Sequence, residues 1–203
     1  METGKDMVHL IGEVLNSRNP GVIEDGEHLY RHAGVLIPLF SMNGGCAVLF
    51  TKRTDTVEHH KGQISFPGGA VDDEDNSFID TALRESHEEV GIRPEDVKIL
   101  GPMDDTLTLA SNFVIHPVVG LIPYPYDFVI SEVEVERVIP VPLNLFHPEN
   151  REARGDVFEY MGEPYTGPTF FYKGDVIWGA TAKIMEKFMK IVADKLPLPL
   201  KKK

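Results

Sequence analysis

Apolar residues recur along this chain with more than one period, and the changes of period mark its elements. In residues 6–17 (DMVHLIGEVLNS), Met7, Leu10, Ile11 and Leu15 fall at helical spacing, which predicts a first helix. A Pro20-Gly21 break follows. The unbroken run GVLIPLF then reads as a buried strand, Asn43-Gly44-Gly45 supplies a turn, and CAVLFTKR returns as a second strand to complete a hairpin. Residues 54–66 are polar and irregular until ISF. Helical spacing resumes over 77–90, where Ile79, Ala82, Leu83, Ser86 and Val90 share a stripe. Asn76 or Ser77 can cap this helix, and Gly91 can end it in the left-handed conformation. Short strands are predicted at VKIL, around FVIHPVVGLI and at VERVIPV, with His116 expected to end or interrupt its strand. A closing helix is predicted over 178–193, where Ala182, Met185, Phe188, Met189 and Val192 repeat with helical period. Strands before, between and after helices predict an α/β domain with a mixed sheet and a helix on each face.

Composition narrows the classes. A lone cysteine, Cys46, cannot form an internal disulfide and sits in the apolar run CAVLF, which fits a reducing cytoplasm. No stretch approaches the ~20 apolar residues of a membrane span. The N-terminal segment lacks a clean hydrophobic core with a small-residue cleavage site, so no signal peptide is expected. The formal net charge of −12 argues against nucleic acid as a partner. It leaves room for an anionic small substrate, because a metal and a few placed cations reverse a local field. The ending LPLPLKKK (196–203) is expected to be a solvated basic tail.

The candidate chemistry lies in residues 62–92, GQISFPGGAVDDEDNSFIDTALRESHEEVGI. At about 100° per residue, Glu85, Glu88 and Glu89 point to one side of their helix, beside the apolar stripe. Crowded carboxylate oxygens suit Mg²⁺ or Mn²⁺, which keep further positions for water or phosphate oxygens. Such an ion polarises a phosphoryl group and activates bound water. Arg84 can fix a neighbouring carboxylate by hydrogen bonding. A solvated helix face would carry the same glutamates, so the helix alone does not decide. The acidic string DDEDN lacks the glycine of a calcium-binding loop.

The string R84-E85-S86-H87-E88-E89-V90-G91-I92 resembles the second half of the Nudix box, Arg-Glu-X-X-Glu-Glu-X-Gly-aliphatic, and Phe66-Pro67-Gly68-Gly69 resembles the entry that precedes it. The resemblance implies a Nudix-type α/β/α sandwich over 31–195, preceded by an N-terminal helix and connection over 1–30. It implies metal-dependent hydrolysis of nucleoside diphosphate conjugates. Glu85, Glu88 and Glu89, with the Gly68 carbonyl, carry over as metal ligands, and Arg84 as the residue that orients a ligating glutamate. Catalysis would rest on Arg84, Glu85 and Glu89. The loop is one residue longer than the usual box, so its first acidic element is Asp75 or a displaced Glu74.

L49-F50-T51-K52-R53-T54 followed by G62-Q63-I64-S65-F66-P67-G68-G69 resembles the added signature of the coenzyme A pyrophosphatase branch, and I177-W178-G179-A180-T181-A182 resembles its closing helix. This implies coenzyme A or its thioesters as substrate, with Arg53, Lys61 and Gln63 as substrate-binding residues. Glu58 stands where the signature has arginine, which keeps ADP-ribose, NADH or a dinucleoside polyphosphate open, as well as a ligand sensor without turnover. The expected partner is a small nucleoside diphosphate, with no nucleic acid or membrane; a homodimer stays open. The general base is Glu85 or Glu89, or one of Glu132, Glu134 and Glu136, although alternation with Val133 and Val135 also reads as a polar strand face. His59 and His60 read as phosphate contacts or as an exposed loop. His87 is expected to be exposed or packed, and Trp178 to pack in the core.

Overall fold

A computed structural model describes residues 4–55, 61–108, 111–160 and 162–196. Glu58, His59 and His60, and the tail beyond 196, lie outside the described residues. The first helix, α1 (Gly4–Asn16), buries Val8, Ile11 and Leu15. Its inward stripe is therefore centred on Val8 rather than Met7, and Gly12 is buried on the same side, next to Leu100. Asn16 Nδ2 ties the helix end to the carbonyl of Leu100 at 2.8 Å. This helix packs on its own sheet.

Strands β1 (Arg31–Met42) and β2 (Gly45–Arg53) form the expected hairpin, and the left-handed Asn43 and Gly44 (φ 52° and 78°) make its turn. Strands β3 (Ile64–Ser65) and β4 (Gly68–Ala70) follow. Helix α2 (Phe78–Val90) leads to β5 (Lys98–Pro102), β6 (Thr106–Thr108), β7 (Phe113–Leu121) and β8 (Val135–Pro142). The main sheet runs β3-β2-β1-β7-β5, with β4 also on β1, β6 on β7 and β8 on β2. The pairing of β1 with β7 is parallel and its neighbours are antiparallel, so the sheet is mixed. Leu36, Phe40 and Leu49 pack with Ala82, Val90 and Ile92 on the α2 face. Ile37, Leu39, Val48 and Phe50 pack on the other face with α1 and the closing helix α3 (Gly179–Val192). Burial on both faces is why β1 and β2 read as unbroken apolar runs.

Three features depart from the sequence reading. Residues 154–177 form a separate antiparallel meander of β9 (Arg154–Tyr160), β10 (Glu163–Tyr172) and β11 (Asp175–Ile177). Of its described side chains, few besides Phe170 and Ile177 are buried, so no periodic apolar signal announces it. His116 does not end its strand: it lies within β7 opposite Gly34, and the next residue contributes its carbonyl, which accepts from Met103 N at 2.9 Å. Glu132 and Glu134 do not share a strand face with Glu136. They belong to a turn before β8, while Glu136 pairs with Lys52 on β2 at 2.9 Å. Trp178 is half-buried just before α3, edge-on to Tyr165 at 5.0 Å. Cys46 is buried, and burial pushes its thiol up to about 12, so it stays protonated and inert. Among the described residues no helix is long and apolar enough to cross a membrane.

Candidate active site

Helix α2 carries the acidic residues, and its two ends are fixed by side-chain and backbone chemistry. Ser77 Oγ accepts from Asp80 N at 3.2 Å at the start, and Gly91 takes φ 71° at the end. Gly34 on β1 leaves the space filled by the Phe78 carbonyl and the Ala82 amide, which lets the helix lie close on the sheet. Gly69 on β4 leaves the space filled by the Glu85 carboxylate. Any side chain at 69 would collide with that carboxylate. The second glycine of the pair thus makes room for the acid, while Gly68 lets β4 lie close on β1 at Gly34 and Val35.

Glu89 points inward and is only 3% exposed, Glu85 is half-buried and Glu88 is exposed. The Glu89 carboxylate has long contacts on both oxygens: Gly68 N donates to Oε2 at 3.3 Å, and Arg53 Nη1 lies 3.5 Å from Oε1. Burial, the largest influence, pushes Glu89 up to about 8. Arg53 and the Gly68 amide oppose the rise, while Glu134 and Glu85 add to it. Burial likewise raises Glu85, against the pull of Arg84 and with like-charge help from Glu88 and Glu134. Of the second acidic set, Glu134 is therefore the one that bears on the site. Its turn is tied to the helix by Ser131 N donating to the Glu89 carbonyl at 2.9 Å.

Arg84 organises the opposite flank. Its Nε and Nη2 hold both oxygens of Asp75 at 3.0 and 2.9 Å, Nη2 reaches the Ala70 carbonyl, and Nη1 donates to Glu85 Oε1 at 2.7 Å and to Glu88 Oε2 at 3.4 Å. This fork holds Asp75 well below the usual carboxylate range. Asp75, not the exposed Glu74, is thus the loop acid that meets the helix. Asp75 also accepts from Thr81 Oγ1 and Asp72 N, so the longer loop still closes on α2.

The substrate-binding candidates are partly gathered. Arg53 reaches the site from the end of β2, and its backbone N donates to the Gln63 carbonyl at 3.0 Å. Gln63 is half-buried just before β3, and Lys61 is exposed in the turn ahead of it. His87 is exposed and lines, with Glu88, Arg93, Tyr126 and Val129, an open cavity of about 820 Å³.

Hard oxygens at Glu85, Glu88 and Glu89, one of them buried without a full counter-charge, fit a hard divalent ion. Among the described residues, however, no three such side chains converge as a ready-made cage.

A second polar group escaped the sequence reading. Asp25, His32, His116 and Asp105 form a hydrogen-bonded row at 3.3, 2.8 and 2.8 Å, with Phe78 stacked on His116. No spacing signals it, since the two histidines stand 84 positions apart.

A family model described as the NUDIX domain matches residues 30–144, more than half of the chain. The chain belongs to the Nudix family. Among its relatives is the protein named uncharacterized Nudix hydrolase NudL of Enterobacter sp. (strain 638), 39% identical over 165 residues, covering 77% of this chain and 80% of that protein. Its namesake in Yersinia enterocolitica is 33% identical over 192 residues, covering 94% and 95%. Among solved structures, RenU, a Nudix hydrolase from M. smegmatis, superposes with a TM-score of 0.55 at 17% identity, covering 83% of this chain and 89% of that one; it shares the fold. This chain is accordingly a Nudix hydrolase, a pyrophosphatase for nucleoside diphosphate derivatives, in a family that generally uses divalent cations.

Proposed function

We propose that this Nudix hydrolase cleaves the diphosphate of coenzyme A or its thioesters, giving phosphopantetheine and adenosine 3',5'-bisphosphate. The observation that carries the reading is the placement of Arg53. The signature segment that contains it pairs with Gln63 and sets a guanidinium against the acidic flank of α2. A cation there suits one phosphate of a diphosphate whose other phosphate meets the carboxylate flank. Gln63 lies beside Arg53 through its carbonyl, Lys61 is exposed two residues before it, and the cavity beside Glu88 offers room for an arm of the substrate.

Glu85, Glu88, Glu89 and the Gly68 carbonyl would hold Mg²⁺ or Mn²⁺, which when bound neutralises phosphate charge and lowers the pKa of water. Arg84 fixes Glu85 and is itself fixed by Asp75, so the carboxylate is held in one orientation at the edge of the site. Water attacks one phosphorus of the P–O–P bridge, its proton passes to a carboxylate, and the bridging oxygen leaves with the other phosphate. We assign the proton to Glu134, because Glu85 and Glu89 are committed as ligands while Glu136 is paired with Lys52 and Glu132 is exposed. Glu58 in place of the signature arginine favours a second reading, hydrolysis of another conjugate such as ADP-ribose.

The test is incubation with coenzyme A, ADP-ribose, NADH and dinucleoside polyphosphates, with Mg²⁺ or Mn²⁺ and then with chelator. Metal-dependent release of phosphopantetheine, in preference to any other product, is expected. Preference for another member would discard coenzyme A and keep the hydrolase.

A further inference from the structure

Arg53 has two partners to serve and occupies only one of them. In this structure its Nη1 lies 3.5 Å from Glu89 Oε1, a long contact, while its Nε is buried with no hydrogen-bond partner among the described residues. Glu89 is the most buried of the α2 glutamates, so it is the one that most needs a nearby positive charge. Among the described residues its other oxygen receives a neutral amide, from Gly68 at 3.3 Å. The guanidinium is thus the cation that the described structure supplies directly to this carboxylate. It stands against Oε1, an oxygen that a ligated ion would also need.

We propose that Arg53 is a stand-in cation for Glu89, displaced when the divalent ion enters and thereby released to the substrate diphosphate. This rests on the metal-dependent reading of the α2 carboxylates given above. Two positive charges cannot both sit on one carboxylate oxygen without strong repulsion in a partly buried site. Entry of the dication therefore drives the guanidinium away, and Arg53 is long enough to turn outward with its strand fixed. Once turned, its Nε–Nη edge can match two phosphate oxygens. Metal and substrate consequently bind with positive coupling. Each removes an obstacle to the other, and by linkage the coupling is reciprocal. Arg53 is a positioning residue for the metal and a binding residue for the substrate.

The test is calorimetric titration of the substrate-free, chelator-treated protein with Mn²⁺ alone at pH 8.5, where the Glu89 carboxylate is ionised. Wild type, Arg53→Gln, Arg53→Met, Arg53→Lys and Glu89→Gln are compared, with each variant's thermal midpoint measured in chelator and in Mn²⁺. Removing the resident charge is expected to tighten Mn²⁺ binding by about tenfold in both neutral variants, the order of a close charge–charge repulsion screened to nearly the water limit once the guanidinium has turned outward. Arg53→Lys, which keeps the charge, should stay near wild type. The rise in midpoint on adding Mn²⁺ should be larger in the neutral variants. Unchanged or weaker Mn²⁺ affinity in Arg53→Gln and Arg53→Met, with Glu89→Gln losing affinity, would overturn the stand-in role and leave the metal site intact. Absence of Mn²⁺ binding in wild type and all variants would overturn both.

Discussion

Glu89 concentrates the conflict between folding and function in one side chain. Its folded value of about 8 stands above the ordinary glutamate value of 4.5, because burial disfavours its charge. The folded protein therefore holds a proton that the unfolded chain has released between those values, so stability without metal must fall as pH rises from about 4.5 through 8. The loss amounts to a few kcal/mol, on the order expected for a buried carboxylate of this kind. Denaturant midpoints in chelator should show it as a decline from pH 5 to 8.5. Glu89→Gln removes the charge and should flatten this branch, making the metal-free variant more stable than wild type at pH 8.5 while turnover drops by orders of magnitude. A wild-type midpoint that does not decline, or an active Glu89→Gln enzyme, would remove the carboxylate from this role. That three glutamates face one side could be read from helical spacing alone. Which of them is buried could not, because it depends on Gly68 and Arg53, brought in from β4 and β2.

The element that positions those side chains is α2 with the loop before it. The helix was legible nearly to the residue, since Ser77, the apolar stripe and Gly91 are local signals. The choice between Asp75 and Glu74 was not legible, because counting cannot see which carboxylate the closing loop turns toward Arg84. The fork that joins Asp75 to Arg84 anchors the loop, steadies the guanidinium and thereby sets Glu85. Asp75→Asn keeps the size and the acceptor oxygen but gives up the charge and half of the fork. It should lower turnover about tenfold, through Arg84, with a modest drop in thermal midpoint. Glu74→Gln, exposed on the same loop, should change neither. Equal effects from the two would show that the loop's net charge, not the fork, is what matters. The meander of 154–177 stayed hidden for the opposite reason: its strands bury little, so they carry no pattern to read.

At the scale of the molecule, α2 joins two polar groups with opposite responses to pH. Glu89 lies near its C-terminal end, and Phe78 at its first turn stacks on His116, about 16 Å away along the axis at 1.5 Å per residue. The row Asp25–His32–His116–Asp105 ties the segment before β1 to β7 and to the connection after β5. Asp105 also accepts from Ile23 N through its side chain and from Lys187 of α3 through its carbonyl, so the segment before β1 and helix α3 both meet the row there. Burial, the largest influence, lowers His116 below its ordinary 6.5, against the pull of Asp105 and with help from His32. The unfolded chain then binds more protons than the folded one below about 6.5, so this contribution is present above that pH and is lost as pH falls through the folded value. The geometry gives the same sign. A single proton can bridge the 2.8 Å contact between His32 Nδ1 and His116 Nε2, and a second would set two donors against each other. In chelator the wild-type protein should therefore be destabilised on both sides, by His116 in acid and by Glu89 in alkali. In Glu89→Gln the alkaline decline should vanish and the acid decline remain. In His116→Gln the reverse should hold, and the double variant should combine the two shifts additively, as separate sites do. Denaturant midpoints from pH 5 to 8.5 on the four proteins decide it. An acid decline that survives His116→Gln unchanged would place that sensitivity elsewhere in the molecule.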